Sequence, residues 1–307
     1  MDNRIYVQLA DLVALQHEAR GFSFLPRQPL KSVLSGRHTS RLRGRGLNFE
    51  ELRHYRTGDD IRSLDWKVTH RTGKPHVRVY TEERERSVIL LVDQRRAMFF
   101  GTREKMKSVV AAELAALTAW RTLAVGDRVG AVVFNDESIY EIKPQRSRHT
   151  VLRILRKVLE FNHALGSDLR LGHSEGQLDV ALSAVARVVG HDNLVALVSD
   201  LNGWDDGTIK AITRIARHND VISSLIYDPM ESELPSAQCW VVSDGAMQIQ
   251  IKSGARLRTD FSEEFDSRVQ YLQHELNKHK VPVLPIDTVE SVPKQLRRMI
   301  GDGGLSR

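Results

Sequence analysis

Val88-Ile89-Leu90-Leu91-Val92-Asp93 is a run of five aliphatic residues closed by a carboxylate, and Leu194-Val195-Ala196-Leu197-Val198-Ser199-Asp200 repeats the pattern downstream. A continuous apolar run without alternation marks a strand buried on both faces, the kind found in parallel sheets covered by helices. Outward from the first run, residues 104–124 carry Met106, Val109, Val110, Leu114, Leu117 and Trp120 at helical spacing until Gly126-Asp127 stops them. A second buried strand is predicted over 129–134, with 138–142 pairing back across Asn135-Asp136. Helices are predicted over 148–161, 178–189, 208–217, 262–279 and 292–300, and strands over 221–227 and 283–286. Two short strands, 240–242 and 247–251, flank an Asp244-Gly245 hairpin turn. Strands alternating with helices predict an α/β fold with a doubly wound, mostly parallel sheet.

Before residue 87 the texture differs. Residues 11–20 read as a short helix with Asp11 as its N-cap, followed by a Pro- and Arg-rich stretch and glycine-punctuated basic residues through Gly46. Val77 and Val79 alternate with polar residues in a small β-rich portion that ends near Glu85. The chain therefore divides into 1–86 and an α/β domain over 87–307, with the hairpin 238–251 expected to pack on the β-rich portion.

Composition narrows the function. One cysteine in 307 residues, Cys239, excludes an internal disulfide and a multi-cysteine zinc site. No run approaches the roughly 18 apolar residues of a membrane span, and Met1-Asp2-Asn3-Arg4 lacks a signal-peptide pattern, so a cytoplasmic protein is expected. The net charge of +6 is concentrated in 37–78, where Arg37, Arg41, Arg43, Arg45 and later cations would attract nucleic acid. Glu50, Glu51, Asp59, Asp60 and Asp65 are interleaved with them, which fits a salt-bridged folded surface equally well.

Ligands of such sheets bind beyond the carboxyl ends of the strands, where strand order reverses. Asp93 and Asp200 both fall there, and two carboxylates could hold a hard divalent cation. Gly172-His173-Ser174-Glu175-Gly176 matches a nucleophile elbow in letters but lacks the buried strand that the motif needs before it. His274 and His279 lie five apart and do not share a helix face, and no phosphate-binding loop occurs. Trp120 is read as core and Trp66 as a packing residue of the β-rich portion.

The segment from Gly46 through Phe49, Glu51, Arg53, Tyr55, Gly58-Asp59-Asp60-Ile61-Arg62 and Leu64-Asp65-Trp66-Lys67 resembles the signature of the domain of unknown function 58 family. So do residues 75–85, Asp228-Pro229 and the Asp244-Gly245 hairpin. The resemblance implies a von Willebrand factor A-like domain beside a small β-rich portion. It also implies association with MoxR-type AAA+ ATPases in chaperone-like or maturation roles. The metal-ion-dependent adhesion site of such domains uses Asp-x-Ser-x-Ser, a later threonine and a further aspartate. Here the first element reads Asp93-Gln94-Arg95-Arg96-Ala97, so Arg95 and Ala97 stand where hydroxyls belong, and the threonine position falls at Gly176 or Gln177. Only Asp93 and Asp200 remain as ligands.

A degenerate site is therefore expected, without metal or other cofactor, in which Arg95 or Arg96 bridges the two carboxylates; magnesium on Asp93 and Asp200 is the alternative. The function expected is a non-catalytic adaptor contacting a protein partner through 94–99, 173–177 and 201–206, with Arg96, Trp204 and Asp205 foremost. A nucleic-acid binder using 37–78 is the second reading. A metal-dependent hydrolase is the third, and it lacks a recognisable general base.

Overall fold

The computed structural model describes residues 2–20, 47–56, 59, 61–82, 86–166, 176–234, 239–243, 248–252 and 255–301. The chain forms two compact units, one of residues 1–25 and 86–307, the other of residues 26–85.

The larger unit begins with α1 (Leu9–Ala14). In the smaller unit, β1 (Leu47–His54), α2 (Trp66–Thr72) and β2 (His76–Glu82) follow, with β1 and β2 paired antiparallel around a bulge between Phe49 and Glu51. The larger unit resumes with β3 (Ser87–Asp93), α3 (Lys107–Ala124), β4 (Arg128–Phe134), β5 (Ile139–Gln145) and α4 (Arg148–His163). Then come α5 (Gln177–Val188), β6 (Leu194–Ser199), α6 (Asp206–Ala216), β7 (Asp220–Tyr227) and α7 (Pro229–Ser232). The hairpin of β8 (Cys239–Ser243) and β9 (Gln248–Lys252), then α8 (Ala255–Lys278), β10 (Val283–Asp287) and α9 (Val292–Leu296) complete it.

Six strands form one sheet in the order β10-β7-β6-β3-β4-β5. All neighbours run parallel except β4 and β5, joined by the tight turn after Phe134. The two apolar runs are β3 and β6, adjacent at the centre, with Val92 opposite Val198. Their alternate side chains feed two separate layers. Val88, Leu90 and Val92 pack with α1, α3, α4 and α9, whereas Ile89 and Leu91 pack with α5 and α6. Burial on both faces is why neither strand alternates. The fold is the expected α/β one, a doubly wound, mostly parallel sheet accompanied by a small antiparallel sheet.

Three expectations are corrected. The first segment belongs with the α/β unit rather than with the β-rich one: Leu12 is buried in the main core, its carbonyl accepting from Trp120 Nε1 at 3.0 Å. The α-helix there is also shorter than 11–20: it starts earlier, with Gln8 at the N-cap position and Asp11 inside the first turn, and ends at Ala14. In the smaller unit, Trp66 opens a helix instead of packing inward and is 67% exposed, beside Ile61 at 62%.

Asp65 explains that helix: its carboxylate accepts from the Lys67 and Val68 amides, and Gly73 (φ 68°) closes the helix in the left-handed conformation. Nearby, Arg53 grips Asp59 through both nitrogens at 2.7 and 2.8 Å. Asp59 also accepts from the Arg56 amide, and these donors lower its carboxyl to about 2. Phe49, Glu51 and Tyr55 lie on or just past β1, and Arg62 lies in the turn before Asp65. Gly58, Asp60 and the basic run 37–46 lie outside the described residues.

Candidate functional site

The switch point of the sheet lies between β3 and β6, and their ends bring Asp93 and Asp200 together. Both are buried. Asp93 accepts from the Arg95 main chain at 2.9 Å and from Arg95 Nε and Nη2 at 3.0 and 2.7 Å. The Ser199 hydroxyl donates at 2.6 Å to Oδ2, the same oxygen that accepts Arg95 Nη2. The same Arg95 Nη2 stands 3.7 Å from Asp200 Oδ1, and the guanidinium lies over the Phe134 ring at 5.4 Å. Of the two candidate arginines, Arg95 is therefore the one that spans the pair. Arg96 instead anchors its main chain on Asp136 at 2.6 Å.

A second cation was not anticipated. Lys107, the first residue of α3, is buried and donates to Asp200 Oδ2 and to Glu231 Oε1, each at 2.8 Å. The loop before it folds tightly enough that a Cβ at Gly101 would collide with the Lys105 carbonyl. Glu231 in turn accepts the Asp228 amide, closing a capping box on α7. Asp228 is buried and ties three segments together, accepting from Thr102, Met230 and Thr288.

The charges shape one another's titration. Burial dominates at Asp93 and keeps its carboxyl above the usual range despite Arg95. At Asp200 burial is outweighed by the charge and hydrogen bond of Lys107, which leave that carboxyl below the usual range. Neighbouring buried carboxyls are driven apart in this way when one has the stronger counter-charge. Desolvation of Lys107 is overcome by Asp200 and Glu231, so its ammonium is held above the ordinary lysine value.

Behind the rim runs a buried polar relay. The Val7 amide donates to Asn162 Oδ1 at 2.9 Å, Asn162 Nδ2 to Gln94 Oε1 at 3.1 Å, and Gln94 Nε2 to the Ser108 carbonyl at 3.0 Å. It fixes the residue after Asp93 from one side and the start of α3 from the other.

Magnesium requires near-octahedral oxygen donors. The donors here do not fit it: the Arg95 and Ala97 side chains carry no oxygen, and a guanidinium and an ammonium already contact the two carboxylates. No group of three or more His, Cys, Asp and Glu suited to a metal occurs among the described residues. Gly176 (φ 85°) and Gln177 begin α5, and no hydrogen bond joins them to either aspartate among the described residues. Residues 172–175 of the elbow-like motif, and 173–175 of the expected contact loop, lie outside the described residues.

The 201–206 loop is partly committed to structure. Asp205 caps α6, its carboxylate accepting from the Thr208 amide at 2.9 Å, which lowers its pKa. Trp204 is half-buried and packs against two core clusters. Asn202 and Asp206 remain exposed on the same rim.

Residues 51–270 match the family described as Protein of unknown function DUF58. The chain belongs to that family. Among DUF58 relatives, Uncharacterized protein Rv1480 of Mycobacterium tuberculosis is 29% identical over 244 residues, covering 77% of this chain and 73% of that protein. Among solved structures, BatB from Bacteroides thetaiotaomicron is similar with a TM-score of 0.39 and 11% identity, over 69% of this chain and 96% of BatB. The SpRpn10 VWA domain is similar with a TM-score of 0.34 and 12% identity, over 73% of this chain and all of that one (100%). No helix among the described residues is long and apolar enough to cross a membrane.

Proposed function

We propose that this DUF58 protein is a non-catalytic interaction module that engages a protein partner through the strand-end rim, with Arg95 and Lys107 standing in the place of a metal ion. One observation carries the reading: both rim carboxylates are already satisfied by cations of the chain itself, Asp93 by Arg95 and Asp200 by Lys107. A carboxylate engaged in this way is a poor general base and a poor metal ligand, so the rim offers shape and charge rather than chemistry. The family resemblance supplies the partner, a MoxR-type AAA+ ATPase, and an adaptor role in assembly or maturation.

Binding of the purified protein to a MoxR-type ATPase of the same organism tests this, with Arg96→Glu and Asp206→Lys as rim variants. A tenfold or greater loss, corresponding to about 1.4 kcal/mol, is expected for each. Undiminished binding by both variants removes the rim from the interface.

A second reading has its own support in the smaller unit. Trp66 is exposed on a helix that also carries Lys67 and Arg71, with Lys74 just past its end, and none of these three cations makes an ion pair among the described residues. An aromatic face among free cations suits single-stranded nucleic acid. Fluorescence anisotropy with a labelled oligonucleotide decides it: steep salt dependence and loss in Trp66→Ala support the reading, and no binding at low salt ends it.

A further inference from the structure

α8 is not seated evenly. Leu272 and Leu276 in its second half are buried, whereas Leu257 and Phe261 in its first half are each 37% exposed. The helix leans on the sheet by its C-terminal turns and overhangs the ends of β6 and β7 with its N-terminal ones. Beneath the overhang is a cavity of about 240 Å³ beside Asp200, walled by Tyr227, Phe261 and Phe265 and by aliphatic side chains including Val269 and Leu272. Tyr227 and Phe265 stand 5.6 Å apart at 46°.

The charges facing this space do not balance. Asp200, Glu231 and Glu264 line it against the single guanidinium of Arg268. Lys107 lies behind the wall and is shared between Asp200 and Glu231, one ammonium for two carboxylates. Glu264 and Arg268 make no ion pair among the described residues, and Arg268 reaches only the Asp200 carbonyl, at 3.4 Å. The wall is thus left with an excess of negative charge next to three aromatic rings. Aromatic faces attract cations, a planar guanidinium most readily, and a methylene stem can lie along aliphatic side chains.

We infer that this cavity receives a long basic side chain, arginine above all, presented by a protein partner. The inference deepens the rim-binding reading by giving the chemistry of what the rim recognises. An acidic side chain would meet Glu264 together with the Asp200 and Glu231 carboxylates that share Lys107, and Arg268 is the one lining cation in its favour. A purely apolar one would desolvate Glu231 and Glu264 without replacing their solvation.

Titration of the isotope-labelled protein with N-acetyl-arginine amide, N-acetyl-leucine amide and N-acetyl-glutamate amide, followed by NMR, tests it without any partner protein. The arginine amide is expected to move the ring signals of Tyr227, Phe261 and Phe265 saturably and at the lowest concentration. Glu264→Gln should weaken it about fivefold, the size of one partly exposed charge contact, and Arg268→Gln should strengthen it by a similar factor. Effects of opposite sign cannot come from general damage to the fold. Equal or tighter binding of the leucine or glutamate amide, shifts mapping elsewhere, or no saturable shift with the arginine amide would each overturn the inference. Because the probes are free amino-acid amides, loss of ATPase binding with the arginine response intact counts against the adaptor reading alone.

Discussion

Lys107 Nζ lies 2.8 Å from Asp200 Oδ2, so the first residue of a helix neutralises the residue just past the end of a strand far away in the chain. Placing an ammonium there costs solvation, which the paired carboxylates of Asp200 and Glu231 offset, with the Phe100 ring 5.8 Å away.

Lys107→Met should therefore destabilise the protein by about 3–5 kcal/mol, the usual penalty for removing one member of a buried pair. Urea unfolding measures it. Lys107→Met combined with Asp200→Asn should recover part of the loss, since fewer unpaired charges remain. A single variant as stable as the parent would mean that solvent reaches the pair.

Restoring hydroxyls alone should not restore a metal site. Arg95→Ser with Ala97→Ser rebuilds the first ligand element but leaves the Lys107 ammonium on Asp200. Calorimetric titration with magnesium and manganese is expected to give no saturable heat for the parent or this double variant. Addition of Lys107→Ala should allow weak binding. Tight binding by the parent, abolished in Asp93→Ala, would refute the surrogate-cation reading.

Acid should weaken the smaller unit through Asp59. Its carboxyl is lowered from 3.8 to about 2 by Arg53 and the Arg56 amide, so the folded form is favoured above the unfolded value. That contribution is lost as pH falls through the folded value. Melting followed between pH 5 and pH 2 (both about, chosen to bracket the shift) should show a decline that Asp59→Asn flattens. A parallel decline in both proteins places the acid sensitivity elsewhere.

Asp228→Ala should loosen three segments at once. Four donors from Thr102, Met230 and Thr288 lose their acceptor, for an expected cost of about 2–4 kcal/mol. Hydrogen exchange at the Thr102 amide should speed up more than at amides in β3. Unchanged exchange at Thr102 would show the loop to be held by other contacts.

The strands and the meeting of Asp93 with Asp200 were legible because burial on both faces leaves an unbroken aliphatic run, and the run's end marks the sheet's rim. Arg95 was legible as a replaced ligand position, though only the geometry separates it from Arg96. Lys107 was not legible: a lysine at a helix start ordinarily reads as solvated, and its partners lie just past β6 and in α7. Glu231 did leave a trace, since Asp228-Pro229 with a glutamate two residues on is a helix-start pattern. Trp66 misled because aromatic residues more often fill cores, whereas here the Asp65 cap turns the chain into a helix that presents it outward.

The relay from Val7 through Asn162 and Gln94 to Ser108 gives the amino-terminal segment leverage over a rim that it also meets directly, Tyr6 standing 5.8 Å from the Phe99 ring. Clipping the chain beyond Val7 would leave the buried Asn162 oxygen without its donor. The cost would fall on the residue next to Asp93 and on the turn that aims Lys107. Tags and proteolytic trimming at that end are thus an input to any assay of the rim.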